Sequence, residues 1–227
     1  MKDKEKLIIE TAIKLSAQKG FALTSIQEIA KESGISKGSF YIYFKSKEAL
    51  QVSILQYYFD DFDQAIRSVD ALNLEPRERF IQQLIVLVHK LIEHKEFIIM
   101  QIHEQALPIN ESVKEILYKK FMETHQFYQD SFLEIYGENV KPYLWDMSLL
   151  MEGIFQSYVK ILLIDSNSMS VEHLVSYIIR RLDDIYEGMI KDSTDPLVDK
   201  EKLQEVYLKL MSHFSTNLTE IQDIIAQ

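Results

Sequence analysis

GISKGSFYIYFKSKEAL, at residues 34–50, is the most informative stretch of this sequence. Aromatic, hydroxyl and cationic side chains are interleaved along it, and Gly38 lies in the first turn of a short predicted helix. A glycine there costs about 1 kcal/mol of helix propensity relative to alanine, which makes sense if this turn must approach another backbone closely. The N–H groups at a helix start, together with Ser, Lys and Tyr side chains, donate hydrogen bonds to phosphate oxygens.

Two short helices meet in this region, with a glycine-containing turn between them. The first begins near Ile26, with Thr24 or Ser25 as its N-cap, and the second has Ser36 as its N-cap. Such a pair is a helix-turn-helix unit, although an ordinary helical hairpin has the same outline. The outer face of the second helix favours the helix-turn-helix, because it carries hydroxyls, tyrosines and a lysine instead of the Glu/Lys pairs of a solvated face.

Charge is divided unevenly along the chain. Residues 1–50 hold nine Lys and six acidic residues, a net charge of +3, whereas the remainder holds 16 basic and 29 acidic residues, a net charge of −13. A basic head on an acidic body predicts that only the head meets a polyanion.

The composition is that of a soluble globular protein, with 47% apolar and 26% charged residues among 227. The sequence has no Cys, which excludes disulfides, thiolate metal sites and a cysteine nucleophile. The N-terminus lacks the apolar region of a secretory signal, and the apolar runs are shorter than the roughly 18 residues that span a bilayer. We therefore expect a cytoplasmic protein without a membrane partner.

Helical periodicity extends over the whole chain, and only 6 Gly and 4 Pro are present, too few for the turns of an all-β fold. The pattern predicts an all-α fold of nine or ten helices. Gly20, Pro76, Pro108 and Gly137 mark helix ends or starts. The predicted ranges are about 4–19, 26–34, 36–44, 47–69, 76–94, 97–105, 111–136, 142–165, 171–191 and 199–225.

Residues 24–50, TSIQEIAKESGISKGSFYIYFKSKEAL, resemble the signature of the TetR/AcrR-type bacterial transcriptional repressors. The fit is nearly complete from Ile29 onward and includes G-I-S-K-G-S-F-Y-x-Y-F-x-S-K. The spacing from Thr24 to Ile29 is one residue longer than in the family pattern, so Thr24 or Ser25 corresponds to its threonine.

The resemblance implies a homodimer that binds a palindromic operator in double-stranded DNA and is released by a small hydrophobic effector. It implies a helix-turn-helix DNA-binding domain over residues 1–46 and a helical effector-binding and dimerisation domain over residues 47–227. The third helix of each protomer would enter a major groove. The DNA-contacting residues that the motif implies are Thr24, Ser25, Ser36, Lys37, Gly38, Ser39, Tyr41, Tyr43 and Lys47.

The third helix is expected to have a core side and a DNA side. Phe40 and Phe44 are predicted to pack within their own domain. Lys37 is the only charged candidate for a guanine edge, because the helix has no Arg, Asn or Gln. Specificity is therefore expected to depend on Lys37, apolar contacts and DNA shape.

Two later helices carry apolar side chains at spacings of three and four around much of their circumference. The resemblance implies that this pair forms a four-helix dimer interface, and burial within the monomer alone is the other interpretation. The predicted interface residues are Leu144, Met147, Met151, Ile154, Ile161, Leu174, Ile178, Leu182 and Ile185.

Large side chains in the central helices are candidates for an effector pocket, although most aromatic or Met residues at helical spacing belong to a core. The amphipathic last helix could cap that pocket, widen the dimer interface or cover core, and we prefer the last two roles. The candidate pocket residues are Phe97, Met100, His103, Phe121, His125, Tyr128, Phe155 and Tyr158.

Enzymatic constellations are missing from the sequence. No His has a Glu three residues before it, as in di-iron bundles, and HEQAL (103–107) lacks the second His of H-E-x-x-H. We expect no enzyme, cofactor or metal site. A helical dimerisation or interaction protein without sequence-specific DNA binding is the alternative function.

Overall fold

The computed structural model describes residues 3–104, 111–192, 195–206 and 209 of the chain. These residues form α-helices and two 3₁₀ segments, with no strand among them, so the predicted all-α fold is confirmed. The 3₁₀ segments are Val69–Leu72 and Glu138–Tyr143, and a further helical run covers 200–206. The long elements are α1 (Asp3–Lys19), α2 (Ile26–Glu32), α3 (Lys37–Tyr43), α4 (Lys47–Ser68), α5 (Pro76–Glu93), α6 (Lys95–Glu104), α7 (Glu111–Tyr136), α8 (Leu144–Ile164) and α9 (Val171–Asp192).

Most predicted helix ends agree with the observed ones to within two residues. The predicted helix over 111–136 is α7, and Gly137 follows it with a φ of 74°. The predicted helix over 142–165 was wrong at its start, because a 3₁₀ segment with Pro142 inside it precedes α8, which begins at Leu144. Proline has no N–H group to contribute to an α-helical ladder. The predicted last helix, 199–225, lies mostly outside the described residues.

The helices divide into two compact units according to the density of their contacts. The first contains α1, α2, α3, the part of α4 up to Asp60, α6 and the start of α7 as far as Leu117. The second contains the rest of α4, α5, the rest of α7, α8 and α9. The predicted functional boundary between residues 46 and 47 is a different kind of division, and it stays a prediction.

The core of the first unit is built around α1. Ile8, Ile9, Ala12 and Ile13 are almost fully buried, and their spacing gives α1 a single apolar face. Burying each isoleucine contributes roughly 1.5–3 kcal/mol to stability. Phe40 of α3 is completely buried in the same unit. This core therefore holds the two short helices α2 and α3 in place.

The second unit has a larger apolar core, to which α5, α7, α8 and α9 contribute. The most deeply buried side chains of that core are Phe80, Leu84, Val88, Tyr128, Phe132, Val140, Met147, Met151, Leu162, Leu174, Val175, Ile178 and Leu182. Five predicted interface residues, Met147, Met151, Leu174, Ile178 and Leu182, are in this set. The core of the protomer itself therefore accounts for their burial.

A polar tie joins three helices of the second unit. Asp183 of α9 accepts a hydrogen bond from the Tyr136 hydroxyl of α7 at 2.9 Å and forms a bidentate pair with Arg77 of α5. The Tyr136 ring stacks on Tyr186 at a centroid distance of 4.5 Å. Burial, and then the bond to Asp183, raises the pKa of the Tyr136 hydroxyl, which therefore stays a neutral donor.

Replacing Asp183 by Ala is expected to destabilise the second unit, because Arg77 and Tyr136 both lose their acceptor. Since the Arg77 side chain is 45% exposed, we expect a loss of only about 1 kcal/mol in the free energy of unfolding. Urea denaturation measures this loss. Asp184→Ala is the matched control, because among the residues that the structure describes Asp184 pairs with exposed Arg181 on its own helix. Equal losses in the two variants would contradict the tie.

Candidate nucleic-acid interface

The helix α3 is defined by a cap at each end. Ser36 is its N-cap, as predicted, and the Ser36 Oγ accepts a hydrogen bond from the Ser39 N–H at 3.0 Å. The two hydroxyls lie 2.9 Å apart. At the other end, the Phe44 N–H donates to the Phe40 carbonyl at 3.0 Å. A seven-residue helix is marginal on its own, so these caps and the packing of its buried face hold it together.

The buried face of α3 fixes which side chains point outward. Phe40 is completely buried and Phe44 is 6% exposed, which confirms that both are core residues. Because successive helical residues are rotated by about 100°, the positions two before and two after Phe40 lie opposite the core. These positions are Gly38 and Ile42, and Tyr41 lies beside them with 39% exposure.

The turn between α2 and α3 requires a glycine. Gly34 has a φ of 66°, in the left-handed region that disfavours residues with a side chain. Its N–H donates to the Lys31 carbonyl at 3.1 Å, and the Ile35 N–H donates to the Ala30 carbonyl at 3.0 Å. These bonds satisfy the end of α2 and set the direction in which α3 begins.

The structure resolves which residue caps α2. Ser25 is the N-cap, and it forms a reciprocal capping box with Glu28. Thr24 is instead buried, and its hydroxyl donates to the Gly20 carbonyl at 2.9 Å. The hydroxyl of Ser25 is therefore at the surface at the start of α2, and that of Thr24 joins the end of α1 to the turn.

The lysines of this region have different surroundings. Lys47 donates from Nζ to the Ala22 carbonyl at 2.8 Å, and Nζ lies 4.9 Å from the centre of the Phe21 ring. These contacts anchor the start of α4 to the turn between α1 and α2. Lys37 is exposed and has no hydrogen bond or ion pair within the described part of the chain. Lys37 is therefore the cation of α3 available to an external partner. Tyr43, the last residue of α3 and also a predicted DNA contact, is half-buried.

Ile42 belongs to the outer face of α3, although it was not among the predicted contact residues. Its side chain is 74% exposed, unusually high for an isoleucine on a helix. The sequence spacing already indicates this exposure, because Ile42 lies two residues after the predicted core residue Phe40. Gly38 lies one turn before Ile42 on the same side of the helix. The predicted contact set included Gly38 and omitted Ile42.

The predicted pocket residues are distributed over both units. Phe97 and Met100 are buried in the first unit, and the side chain of His103 lies outside the described part. The second unit contains the others, namely Phe121, His125, Tyr128, Phe155 and Tyr158. Their assignment to an effector pocket stays a prediction.

A buried polar cluster surrounds His125 in the second unit. His125 is fully buried, with Nδ1 3.0 Å from the Ser148 hydroxyl. Its Nε2 is 3.1 Å from Oε2 of Glu152 but is not aligned for a hydrogen bond with it, and it has no other partner among the described residues. Burial, and then the charge of Glu152, raises the pKa of Tyr128. The cluster thus contains a buried ring nitrogen with unused hydrogen-bonding capacity.

The fold and this surface define a helical regulator with a DNA-binding helix-turn-helix near its N-terminus. Residues 8–54 match the family model described as bacterial regulatory proteins of the tetR family. The chain is 42% identical over 220 residues to the HTH-type transcriptional regulator YuxN of Bacillus subtilis (strain 168), covering 97% of this chain and 76% of that protein. It is 37% identical over 204 residues to the HTH-type transcriptional regulator YerO of the same strain, covering 88% and 71%.

A solved structure shares the fold. The fatty acid degradation regulator FadR from Bacillus halodurans superposes with a TM-score of 0.66 at 19% identity, covering 80% of this chain and 95% of that one. This chain belongs to the TetR family, and it is a DNA-binding transcriptional regulator.

The capping box of α2 predicts a pH dependence of stability. A hydrogen bond from Lys19, and then bonds from Ser25, lower the pKa of the Glu28 carboxyl from 4.5 to about 2. A lowered folded-state pKa stabilises the fold above the unfolded value, and this stabilisation is lost as the pH falls from about 4.5 towards 2. Wild type should therefore melt at a higher temperature than Glu28→Gln at pH 6, and the difference should shrink by pH 3. A difference that is the same at both pH values would contradict this.

Proposed function

We propose that the protein is a homodimeric repressor that binds a palindromic operator and leaves it when a small hydrophobic effector binds. The outer face of α3 is the observation that carries the proposal. It presents Lys37, Gly38 and Tyr41 away from a core that holds Phe40, in the basic part of an acidic chain. A surface of this kind suits the major groove, where a lysine can reach a guanine edge.

The hydroxyl and tyrosine side chains around α3 are proposed to contact phosphates. Ser36 and Ser39 lie at the start of α3, and Ser25 lies at the start of α2. Tyr41 and Tyr43 flank the other end of α3. Phosphate contacts fix the position of a protein on DNA without selecting a sequence. Sequence selection is therefore left to the few side chains that reach the bases.

Exposed apolar surface on α8 and α9 supports a dimer. By length and composition alone, the segment Glu138–Ile164 is apolar enough to cross a membrane. Of its most apolar stretch, 33% is buried within the chain, and the rest is surface that the described part of the chain does not fully cover. Ile161 and Ile164 of α8 and Ile190 of α9 are exposed. In a DNA-binding regulator, such a surface is expected to pack against a second protomer.

The dimer proposal applies to part of the predicted set. Ile161 is exposed, and Leu144, Ile154 and Ile185 are half-buried, which leaves them surface for a partner. A second copy is also required by the operator, because two recognition helices about one helical turn of DNA apart read a palindrome.

The polar cluster around His125 supports an effector site in the second unit. The His125 Nε2 lies 3.1 Å from the Glu152 carboxylate without an aligned hydrogen bond, so it keeps hydrogen-bonding capacity that a ligand can use. The rings of Phe121 and Trp145 lie 4.3 Å and 5.7 Å from the His125 ring, so the surroundings of this nitrogen are aromatic. We infer an effector with an apolar body and one hydrogen-bonding end.

The helix α4 offers a route from effector to DNA. It belongs to the first unit up to Asp60 and to the second from Asp61, as one continuous helix. We propose that the effector favours a state of the dimer in which the two α3 helices no longer match successive major grooves.

Lys37→Ala should weaken binding to a palindromic fragment of the protein's own promoter by roughly 5- to 150-fold per half-site. Fluorescence anisotropy at fixed salt measures the affinity, and sedimentation should find the dimer unchanged. Lys14→Ala is the matched control, because it removes the same charge from an exposed position on α1.

Ile161→Asp should instead prevent dimerisation, because it places a charge in the proposed apolar interface. The resulting monomers should have a lower affinity for the palindromic fragment.

Wild-type affinity in Lys37→Ala would contradict the assignment of α3 as the DNA-reading helix. An equal loss in Lys14→Ala would mean that charge alone, without a base contact, explains the effect. A dimeric Ile161→Asp variant would contradict the proposed interface.

His125→Leu should impair effector binding while leaving DNA binding intact, since it replaces the unsatisfied nitrogen with an apolar group. The single tryptophan of the chain, Trp145, lies beside His125 and reports on the site. With 1-anilinonaphthalene-8-sulfonate as the probe, we expect quenching of Trp145 in wild type and at least about fivefold weaker binding in His125→Leu. The control is His89→Leu, because His89 is exposed. Identical titrations for wild type and His125→Leu would contradict the proposed site.

A further inference from the structure

The outermost line of α3 consists of Gly38 and Ile42. Phe40 is completely buried and defines the inward direction, so these two residues, one turn apart, point directly away from the core. Ile42 is 74% exposed and has no hydrogen-bonding group. The other outward side chains of α3 and its N-cap are hydroxyls, tyrosines and a lysine. An apolar side chain there suits an apolar partner.

The fold itself does not require glycine at position 38. A Cβ added there would meet only the Ser36 Oγ at 3.7 Å, which is an ordinary contact distance. Gly38 also lies within the helix, and the described residues with positive φ do not include it. Neither packing nor backbone conformation therefore requires a glycine at position 38. A contact with a partner molecule outside the protein would account for this glycine. It allows the first turn of α3 to approach a surface more closely than a side chain would permit.

A major groove offers one apolar group on its base edges, the C5-methyl group of thymine. Apart from the C–H edges of cytosine and the purines, which do not project into the groove, the other major-groove groups on the bases are hydrogen-bond donors or acceptors, with which an isoleucine side chain forms no hydrogen bond. We propose that Ile42 reads a thymine methyl group in each half-site and that the missing side chain of Gly38 allows α3 to come close enough for this contact. The inference rests on the proposed function, because it requires α3 to lie in a major groove.

The expected effect is moderate and specific to one position. Removing one methyl group from an apolar contact should weaken binding about fourfold, and removing both copies from a palindrome should weaken it about fifteenfold. Deoxyuridine differs from thymidine only by this methyl group and keeps the same base pairing. Replacing thymines by deoxyuridine, one symmetric pair at a time, therefore isolates the contact.

The experiment measures affinities of wild type and Ile42→Ala for the promoter fragment and for its deoxyuridine versions by fluorescence anisotropy. Wild type should lose about fifteenfold at one symmetric thymine pair. Ile42→Ala should bind the unmodified fragment more weakly by a similar factor and should be insensitive to deoxyuridine at that pair. Non-additivity of the two changes identifies a direct contact.

Leu23→Ala is the matched control, because Leu23 is also 74% exposed and lies before α2. It should keep the wild-type sensitivity to deoxyuridine. Melting temperatures of both variants establish that they are folded, which is expected for exposed positions. If Ile42→Ala stays as sensitive as wild type, or if no thymine pair matters to wild type, Ile42 does not read a methyl group. Absence of any specific binding by wild type would contradict the proposed function, and this inference with it.

Discussion

The burial of Phe40 is the constraint on which the DNA-binding surface depends. With this ring held in the core of the first unit, a seven-residue helix has only one possible rotation about its axis. That rotation determines that Gly38 and Ile42 point outward and that Lys37 and Tyr41 lie together on one side of them. Caps alone would not achieve this, because Ser36 fixes where α3 begins and has no influence on which face is buried. A fixed geometry at the surface therefore requires an apolar contact beneath it.

The same constraint explains why the helix can carry so few base-reading groups. A short helix with one buried face offers about one turn and a half of outward positions, and hydroxyl side chains, which we propose to contact phosphates, occupy several of them. Arginine, asparagine and glutamine are missing from α3, so in the proposed complex one lysine, Lys37, supplies the hydrogen bonds that read bases. Apolar contact and close approach then become the remaining means of selecting a sequence.

Local signals in the sequence were sufficient to predict the helices but not to predict the roles of some individual residues. Glycines, prolines and capping residues predicted helix ends to within about two residues, because these features act on the backbone near them. The choice between Thr24 and Ser25 needed the fold, since only the position of the Gly20 carbonyl shows that the Thr24 hydroxyl points inward. Periodicity around Phe40 already contained the exposure of Ile42, whereas the buried cluster at His125 depends on contacts between α7 and α8.

Apolar stripes on α8 and α9 show the limit of periodicity most clearly. Met147 and Met151 of α8 and Ile178 of α9 belong to the core of the protomer, while Ile161 and Ile164 are exposed on α8. A helix that is apolar on both sides gives the same sequence pattern whether its second side meets a partner or its own chain. Only the burial of each residue separates the two sets. Because the core of the second unit uses one side of α8, the exposed side is the surface that we propose for a second copy of the chain.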